Sequence, residues 1–500
     1  MEFFLLIFLG FVSAVTYSIL KQSVAPLTRT PIWLLWIVLM TPPFVLTFLM
    51  LAIDGESQNL PPEAWFGVLG LFIICPLLYH YLIHARRREL PKSRETPGQD
   101  RPAIDLTKDS KTPPPQVRPI SDAEEKELRN CFPWGTYYLQ NLDYHPQAIL
   151  CRGRLRANPE VAYQTIRNNI EGKFGDRFVI VFQEGAKNRP FFALIPNRWS
   201  KSKRQDQDET LTRPGLAIAL VVITLFTTTL AGATLAGVTP EEWQSQTSLL
   251  RQGLPYSLAL MAILGVHELS HYLTAIHYKI RATLPYFIPI PFFIGTFGAF
   301  IQMRSPVPNR RALFDTSIAG PLGGFIVALP ILIWGLSLSE VIPAGEETSL
   351  FNFDSLDPRF SFFIAVASKM ALGAELTPGT ALDLHPLAIA GYLGIIVTAL
   401  NLMPVGQLDG GHIVHAMFGQ RTAAGIGQVA RLLLLGLSFI HQEFLIWAII
   451  LLFMPILDEP ALNDVTELDT KRDILGLIAL TILVVILLPV PASVTQWLNL

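Results

Sequence analysis

Long apolar runs separated by short charged segments dominate the pattern of this chain. A run of about 20 apolar residues is long enough to cross a bilayer as an α-helix, because each residue advances the helix by about 1.5 Å. Such runs lie at residues 2–20, 31–53, 65–83, 214–238, 254–277, 312–338, from 385 onward, and at 423–440, 444–456 and 474–491. The pattern predicts a polytopic α-helical membrane protein with about nine or ten transmembrane helices.

Between residues 136 and 195 the long apolar runs give way to positions that alternate between apolar and polar. Alternating positions predict strands at Thr136–Leu142, Ala148–Leu155, Arg177–Phe182 and Pro190–Ile195, with a helix at Pro159–Phe174. These elements indicate a small α+β domain, and the charged, proline-rich stretch before it indicates an extended linker. The predicted division is an N-terminal three-helix membrane unit, a linker, the α+β domain, a membrane core and C-terminal membrane helices, at residues 1–88, 89–120, 121–200, 214–420 and 421–500.

The charges indicate how the chain is oriented in the membrane. Three arginines at 86–88 directly follow the third apolar run, and basic residues beside a span stay on the cytosolic side. Asp54, Glu56 and Glu63 mark the opposite loop, so the N-terminus is predicted outside and the α+β domain in the cytosol. A net charge of -2 gives no indication of nucleic acid as a partner. Three cysteines are too few for a disulfide framework or a cysteine-based zinc site.

The apolar run at 254–277 contains the sequence His267-Glu268-Leu269-Ser270-His271. Residues four apart lie on one face of a helix, so both imidazoles can bind a single zinc ion. Glu268 lies about 100° round the helix, where it can accept a proton from a water molecule that the metal activates. Ionisable groups inside a span cost about 3 kcal/mol each and need a partner, a cavity or a metal. The pattern predicts a metal site, with a hydrogen-bonded cluster between helices as the alternative.

The residues that follow form an apolar segment that cannot be a straight helix. Residues 285–300 contain three prolines and two glycines. Positive charges stand on both sides, at Lys279, Arg281 and Arg304, which argues against a crossing. The segment is predicted to be a re-entrant hairpin. Its free backbone groups either pair with an extended substrate or belong to a structural plug.

A second chemical motif runs from Asn401 to His412, at the end of the apolar run that begins near residue 385. Pro404 and the glycines of this motif break the helix and leave irregular backbone at membrane depth. A catalytic zinc ion commonly has three protein ligands and a water. Asp409 is the preferred third ligand because an unpaired carboxylate in a membrane needs a cation, and His412 is the rival. Asn401 either donates a hydrogen bond to a developing oxyanion or satisfies the broken backbone.

Together the two motifs resemble the site-2 protease family of intramembrane zinc metalloproteases. The resemblance rests on His267-Glu268-x-x-His271, Asn401-x-x-Pro404 and Leu408-Asp409-Gly410, in that order and in separate spans. It covers about residues 214–420. The extra N-terminal spans, the soluble domain and Gly153-Arg154-Leu155-Arg156 further resemble the plastid and cyanobacterial branch named for ethylene-dependent gravitropism deficiency and yellow-green plants. That branch reads Gly-Asn-Leu-Arg, so Arg154 departs from its pattern.

The resemblance implies one zinc ion per chain on His267, His271 and Asp409, with Glu268 as general base and Asn401 as a helper. It implies hydrolysis of a peptide bond in or near the transmembrane segment of membrane-anchored protein substrates, which releases a cytosolic fragment. The expected partners are the substrate and the lipid bilayer. A metal-ion transporter gives Glu268 no role, and a catalytically silent membrane scaffold predicts the loss of Glu268 or of a ligand. These two are the alternative functions.

The first apolar run lacks the basic region of a signal peptide, and an arginine- and serine-rich transit peptide is not seen. Together with the resemblance, this predicts a multi-pass protein of a prokaryotic, cyanobacterial plasma or thylakoid membrane. The α+β domain and the active site are predicted to face the cytosol.

Overall fold

The structure, a computed structural model, describes residues 30–53, 120–145, 148–185, 189–197, 213–290, 294–345, 353–438 and 454–498, with isolated residues between 13 and 82 and between 444 and 451. The predicted spans at 2–20, 65–83 and 444–456 and the linker at 89–120 lie largely outside the described residues. The chain forms two compact units, Met1–Thr112 and Pro113–Leu500. In the first unit, α1 (Ile32–Ile53) coincides with the second apolar run.

The second unit begins with a four-stranded antiparallel sheet and two helices. Its elements are α2 (Asp122–Asn130), β1 (Tyr137–His145), β2 (Ala148–Leu155), α3 (Pro159–Phe174), β3 (Phe178–Glu184) and β4 (Pro190–Pro196), with strand order β1-β2-β4-β3. A capping box between Ser121 and Glu124 starts α2, because each satisfies a backbone N–H of the other. Phe182 and Phe192 stack with their ring centroids 4.1 Å apart in the buried core.

The membrane part of this unit is helical. Its α-helices are α4 (Pro214–Leu235), α5 (Pro240–Ser245), α6 (Leu254–His277), α7 (Arg310–Leu336), α8 (Phe362–Leu372), α9 (Pro386–Leu402), α10 (Asp409–Phe418), α11 (Gln420–Ser438), α12 (Thr470–Leu487) and α13 (Ala492–Leu498). Within the described ranges, 3 helices are long and apolar enough to cross a membrane: Pro214–Leu235, Thr247–His277 and Arg310–Leu336. The apolar helix α9 has 17 residues and is shorter.

Small residues allow α6, α7 and α9 to pack closely against one another. A Cβ atom at Gly335 of α7 would lie 2.7 Å from the carbonyl carbon of Leu387, at the start of α9. A Cβ atom at Gly391 of α9 would lie 2.6 Å from the Cα of Leu332. These positions bring the backbones of α7 and α9 into direct contact, and α6 packs against the same pair.

Between α6 and α7 the chain forms a β-hairpin rather than a helix. The small sheets of this unit are β5 (Tyr286–Pro289) with β6 (Thr296–Phe300), and β7 (Glu340–Pro343) with β8 (Thr380–Asp383), both antiparallel. The Thr227 hydroxyl of α4 donates to the Gly295 carbonyl at 2.7 Å, and the Tyr256 hydroxyl of α6 donates to the Ile294 carbonyl at 2.8 Å. These bonds satisfy the non-helical backbone of the hairpin and fix it to α4 and α6.

Candidate metal centre

Two imidazoles of α6 converge one helical turn apart. His267 and His271 are only 4% and 7% exposed, and their Nε2 atoms are 3.2 Å from each other. The Nδ1 atom of His271 lies 2.7 Å from the carbonyl oxygen of Thr316 in α7. Because a carbonyl oxygen can only accept, Nδ1 carries the proton and the lone pair of His271 is on Nε2. A backbone partner of this kind orients a metal-binding histidine.

Asp409, the first residue of α10, brings a carboxylate to the same point. Its Oδ2 atom lies 3.2 Å from Nε2 of His271 and 3.6 Å from Nε2 of His267. Ligand atoms at tetrahedral angles, each about 2.0–2.2 Å from a zinc ion, are separated by about 3.3–3.6 Å. Among the described residues, these three form the group whose ligand atoms all lie within 4.8 Å of one another. The donor set therefore fits a zinc ion.

Glycines determine where these side chains can stand. A Cβ atom at Gly320 of α7 would overlap Nε2 of His271 and lie 2.5 Å from its Cε1, so only glycine leaves room for this imidazole. The turn before α10 is equally tight, since a Cβ atom at Gly410 would lie 2.6 Å from the Met403 carbonyl oxygen. The sequence pattern indicated only helix packing for the glycines of α7. In the structure Gly320 also faces the ring of His271, so it sets where that candidate ligand can lie.

Glu268 and Asn401 complete the surroundings of the donor set. Glu268 is 9% exposed and lies next to the backbone of Ile301, which directly follows β6. The Nδ2 atom of Asn401, near the end of α9, is 3.2 Å from Nε2 of His267. The five residues predicted from the two motifs thus lie together. A carboxylate and an amide lie beside three converging atoms that could bind a metal ion.

His412, the rival third ligand, has a different partner. Its Nδ1 atom lies 2.8 Å from Oδ2 of Asp458, and the same oxygen is 2.5 Å from Nδ1 of the wholly buried His415. Burial lowers the pKa of His415, but its bonds to Asp458 and Asp464 outweigh this and raise the pKa to about 9. Burial raises the pKa of Asp458, yet His412 and His415 lower it to about 2. Sequence reasoning missed this cluster, although a histidine in an apolar stretch needs a polar partner.

A His-His-Asp donor set with both histidines buried and a glutamate beside it, between two helices of membrane-spanning length, is the arrangement typical of a membrane metallohydrolase. Comparison with known proteins agrees with this class. Residues 255–437 match the model of peptidase family M50, and residues 126–203 match the model of the EGY3 middle domain. Residues 255–437 are therefore similar to a family M50 peptidase domain, which confirms the resemblance drawn from the motifs.

Several curated relatives from plants are similar to this chain. Probable zinc metalloprotease EGY2, chloroplastic, from Oryza sativa subsp. indica is 30% identical over 370 residues, which are 72% of this chain and 65% of that protein. Probable zinc metalloprotease EGY1, chloroplastic, from Arabidopsis thaliana is 34% identical over 255 residues, 51% of this chain and 46% of that protein. The chain spans less than two thirds of the length of these relatives. No solved structure matches it significantly.

The prediction of a prokaryotic membrane is wrong. The reported relatives are chloroplastic proteins of plants, which points to a plastid membrane instead. The prediction rested on the lack of a recognisable transit-peptide pattern and on resemblance to a branch that contains both plastid and cyanobacterial proteins, and neither observation distinguishes a plastid membrane from a prokaryotic one.

Proposed function

We propose that this protein is an intramembrane zinc metalloprotease that hydrolyses a peptide bond in or near the transmembrane segment of membrane-anchored protein substrates. The observation that carries the proposal is the convergence of His267, His271 and Asp409, with donor atoms 3.2–3.6 Å apart, beside the buried Glu268. The M50 domain and the names of the zinc metalloprotease relatives support it. The implied cofactor is one zinc ion per chain, and the implied partners are the substrate and the lipid bilayer.

The residues of the site have separate roles in this proposal. His267, His271 and Asp409 would hold the ion, which when bound polarises a carbonyl group and lowers the pKa of water. Glu268 would accept the proton of the attacking water and deliver it to the leaving amine as the peptide C–N bond breaks. The Asn401 amide would donate a hydrogen bond to the substrate carbonyl oxygen as negative charge develops on it.

The β5–β6 hairpin is proposed to be the substrate-binding element and to re-enter the membrane. A substrate helix has every backbone group satisfied internally, so it must unwind locally before a peptide bond becomes accessible. An unwound segment can pair with the edge of a two-stranded sheet. The hairpin has the right position, because Ile301 follows β6 and lies beside Glu268. The Phe297 side chain, 74% exposed, offers an apolar surface to a substrate that leaves lipid.

The same proposal assigns the parts of the chain. The catalytic core is residues 214–420. It is preceded by the membrane unit 1–88, the linker 89–120 and the α+β domain 121–200. The membrane helices of 421–500 follow it, which gives about nine or ten spans in all. β3 of the α+β domain pairs with Asn463, which also pairs with Asn309 at the start of α7. Cleavage at the metal centre would release a substrate fragment on the side of the membrane that bears the α+β domain.

A cleavage assay tests the proposal. Purified full-length protein is mixed with a single-span model substrate, as wild type, as Glu268→Gln and after treatment with a zinc chelator. Wild-type protein should produce two fragments, and both perturbations should slow cleavage by about 100-fold or more, because each removes an essential component of water activation. The matched control is Glu340→Gln, an exposed glutamate of β7.

Unchanged cleavage with both Glu268→Gln and the chelator would contradict the proposal. A metal-ion transporter or a silent scaffold would release no peptide from the wild-type protein. Those alternatives give the carboxylate beside the first histidine no function, whereas peptide hydrolysis requires a base at that place.

A further inference from the structure

A buried polar cluster joins α10 to α7 and to the segment that precedes α12. It consists of Arg310, His412, His415, Asp458 and Asp464. His415 contacts Asp458 through Nδ1 at 2.5 Å and Asp464 through Nε2 at 3.0 Å, and the Nε of Arg310 donates to the same Asp464 oxygen at 3.2 Å. Both ring nitrogens of His415 face carboxylates, which only accept, so the ring is cationic. Buried charges are tolerated only when they are paired, so the cluster selects one arrangement of the elements that meet in it.

The α+β domain holds Asp464 through its backbone. The Asp464 amide donates to the Phe182 carbonyl of β3 at 2.8 Å, and the Phe182 amide donates to the Leu462 carbonyl at 2.7 Å. On the other side, the Leu462 amide donates to the Val307 carbonyl, just before α7, at 2.9 Å. Residues 462–464 therefore form a strand-like connection between the sheet of the α+β domain and the start of α7. Helix α7 is the one that packs against His267 and His271.

The cluster also fixes α10, the helix whose first residue is Asp409. His412 and His415 are three residues apart and so are neighbours on one face of α10, where both contact Asp458. The Leu408 side chain makes no capping bond at the start of this helix. Asp409 and His415 are six residues apart (415 − 409 = 6), about 9 Å along the helix axis. A rotation or shift of α10 about these contacts would move the Asp409 carboxylate.

We propose that the polar cluster positions the third zinc ligand. Asp464, held by β3 of the α+β domain, fixes His415 and with it α10, and this sets where Asp409 stands relative to His267 and His271. The α+β domain thereby acts on the metal centre rather than only on a substrate. His415, Asp458 and Asp464 are positioning residues, since they act through Asp409. The proposal rests on the proposed zinc site.

Zinc affinity of the full-length protein tests the positioning role independently of proteolysis. It is measured by competition with a chromophoric chelator for wild type, Asp464→Asn and His415→Gln, which break the cluster from two sides with side chains of similar size. The matched control is Asp315→Asn. Asp315 also lies on α7 and accepts two bonds from Arg472 of α12, at 2.7 and 2.6 Å. The thermal midpoint of each zinc-free sample is recorded in parallel.

Both cluster variants should bind zinc about 10- to 100-fold more weakly than wild type, the range expected when the support of a metal ligand is lost. Asp315→Asn should stay within about 2-fold of wild type even where its thermal midpoint falls, because the Asp315 carboxylate bonds to Tyr278 and Arg472 and to none of the three proposed ligands. Cluster variants that bind zinc as tightly as wild type while melting at lower temperature would overturn the positioning role. A wild-type protein that binds no zinc would instead contradict the zinc site itself, so the two failures are distinguishable.

Discussion

Replacing Gly320 by alanine should remove His271 from the metal centre without changing any ligand residue. The added Cβ atom would overlap Nε2 of His271 and lie 2.5 Å from its Cε1, whereas ordinary contact begins at 3.4 Å. The imidazole must therefore move by at least 0.9 Å (3.4 − 2.5 = 0.9). Zinc–ligand distances tolerate about 0.2 Å, so this movement takes Nε2 out of its ligand position. We expect zinc affinity and cleavage rate each to fall by about 100-fold or more.

Two other glycines give the graded controls. At Gly324 a Cβ atom would lie 3.2 Å from Nδ1 of His267, so Gly324→Ala should have a smaller effect, within about 10-fold. Nothing lies within 4 Å of a Cβ atom at Gly425 of α11, and there alanine should be neutral or stabilise the helix by up to about 1 kcal/mol. Zinc titration and the cleavage assay on the three variants provide the comparison. A Gly320→Ala protein with wild-type zinc affinity would refute the reasoning.

Three further predictions concern stability and substrate choice. Gly153→Ala should lower the free energy of unfolding by about 1–3 kcal/mol, seen as a lower thermal midpoint, because the added Cβ would overlap the Tyr138 carbonyl. The control is Arg154→Ala at the neighbouring exposed position, which should change the free energy of unfolding by less than about 0.5 kcal/mol. The thermal midpoint should fall as pH rises from 6.5 through about 9, because over this range the unfolded chain has lost the His415 proton that the folded protein still holds. It should also fall as pH drops from 3.8 towards about 2, because the unfolded chain then binds a proton at Asp458 that the folded protein does not. In His415→Gln the thermal midpoint should no longer fall at alkaline pH. An equal fall in wild type and in His415→Gln would show that another group titrates. Substrates with glycine or proline in their span should be cut faster than an all-leucine span, and equal rates would argue against local unwinding.

Local sequence was enough to predict the elements that carry their own signal. The run at 254–277 coincides with α6, since apolar length alone decides a span. The prolines and glycines of 285–300 excluded a helix, and the structure has a hairpin there because α4 and α6 satisfy its free carbonyls. The helix predicted at Pro159–Phe174 has those bounds, with a proline at its first turn and Gly175 after it.

The parts that depend on long-range contacts were beyond local reasoning. Asp409 was preferred to His412 as the third ligand, but the local sequence did not exclude His412, because its exclusion depends on how the turn before α10 folds and on Asp458, which lies far along the chain. Asp464 has no periodic pattern around it that indicates pairing with β3. The role of Gly320 was missed for the same reason, since only the packing of α7 on α6 brings it to His271.

The central claim is that one zinc ion per chain binds at His267, His271 and Asp409 and is required for peptide hydrolysis. The most direct test is the zinc content of purified full-length protein by elemental analysis, with cleavage measured on the same samples. Wild type and Glu268→Gln should each retain about one zinc ion per chain while only wild type cleaves, and Asp409→Asn should lose both the metal and activity. Wild-type protein that cleaves its substrate without bound zinc, or an Asp409→Asn protein that retains zinc and activity, would contradict the account.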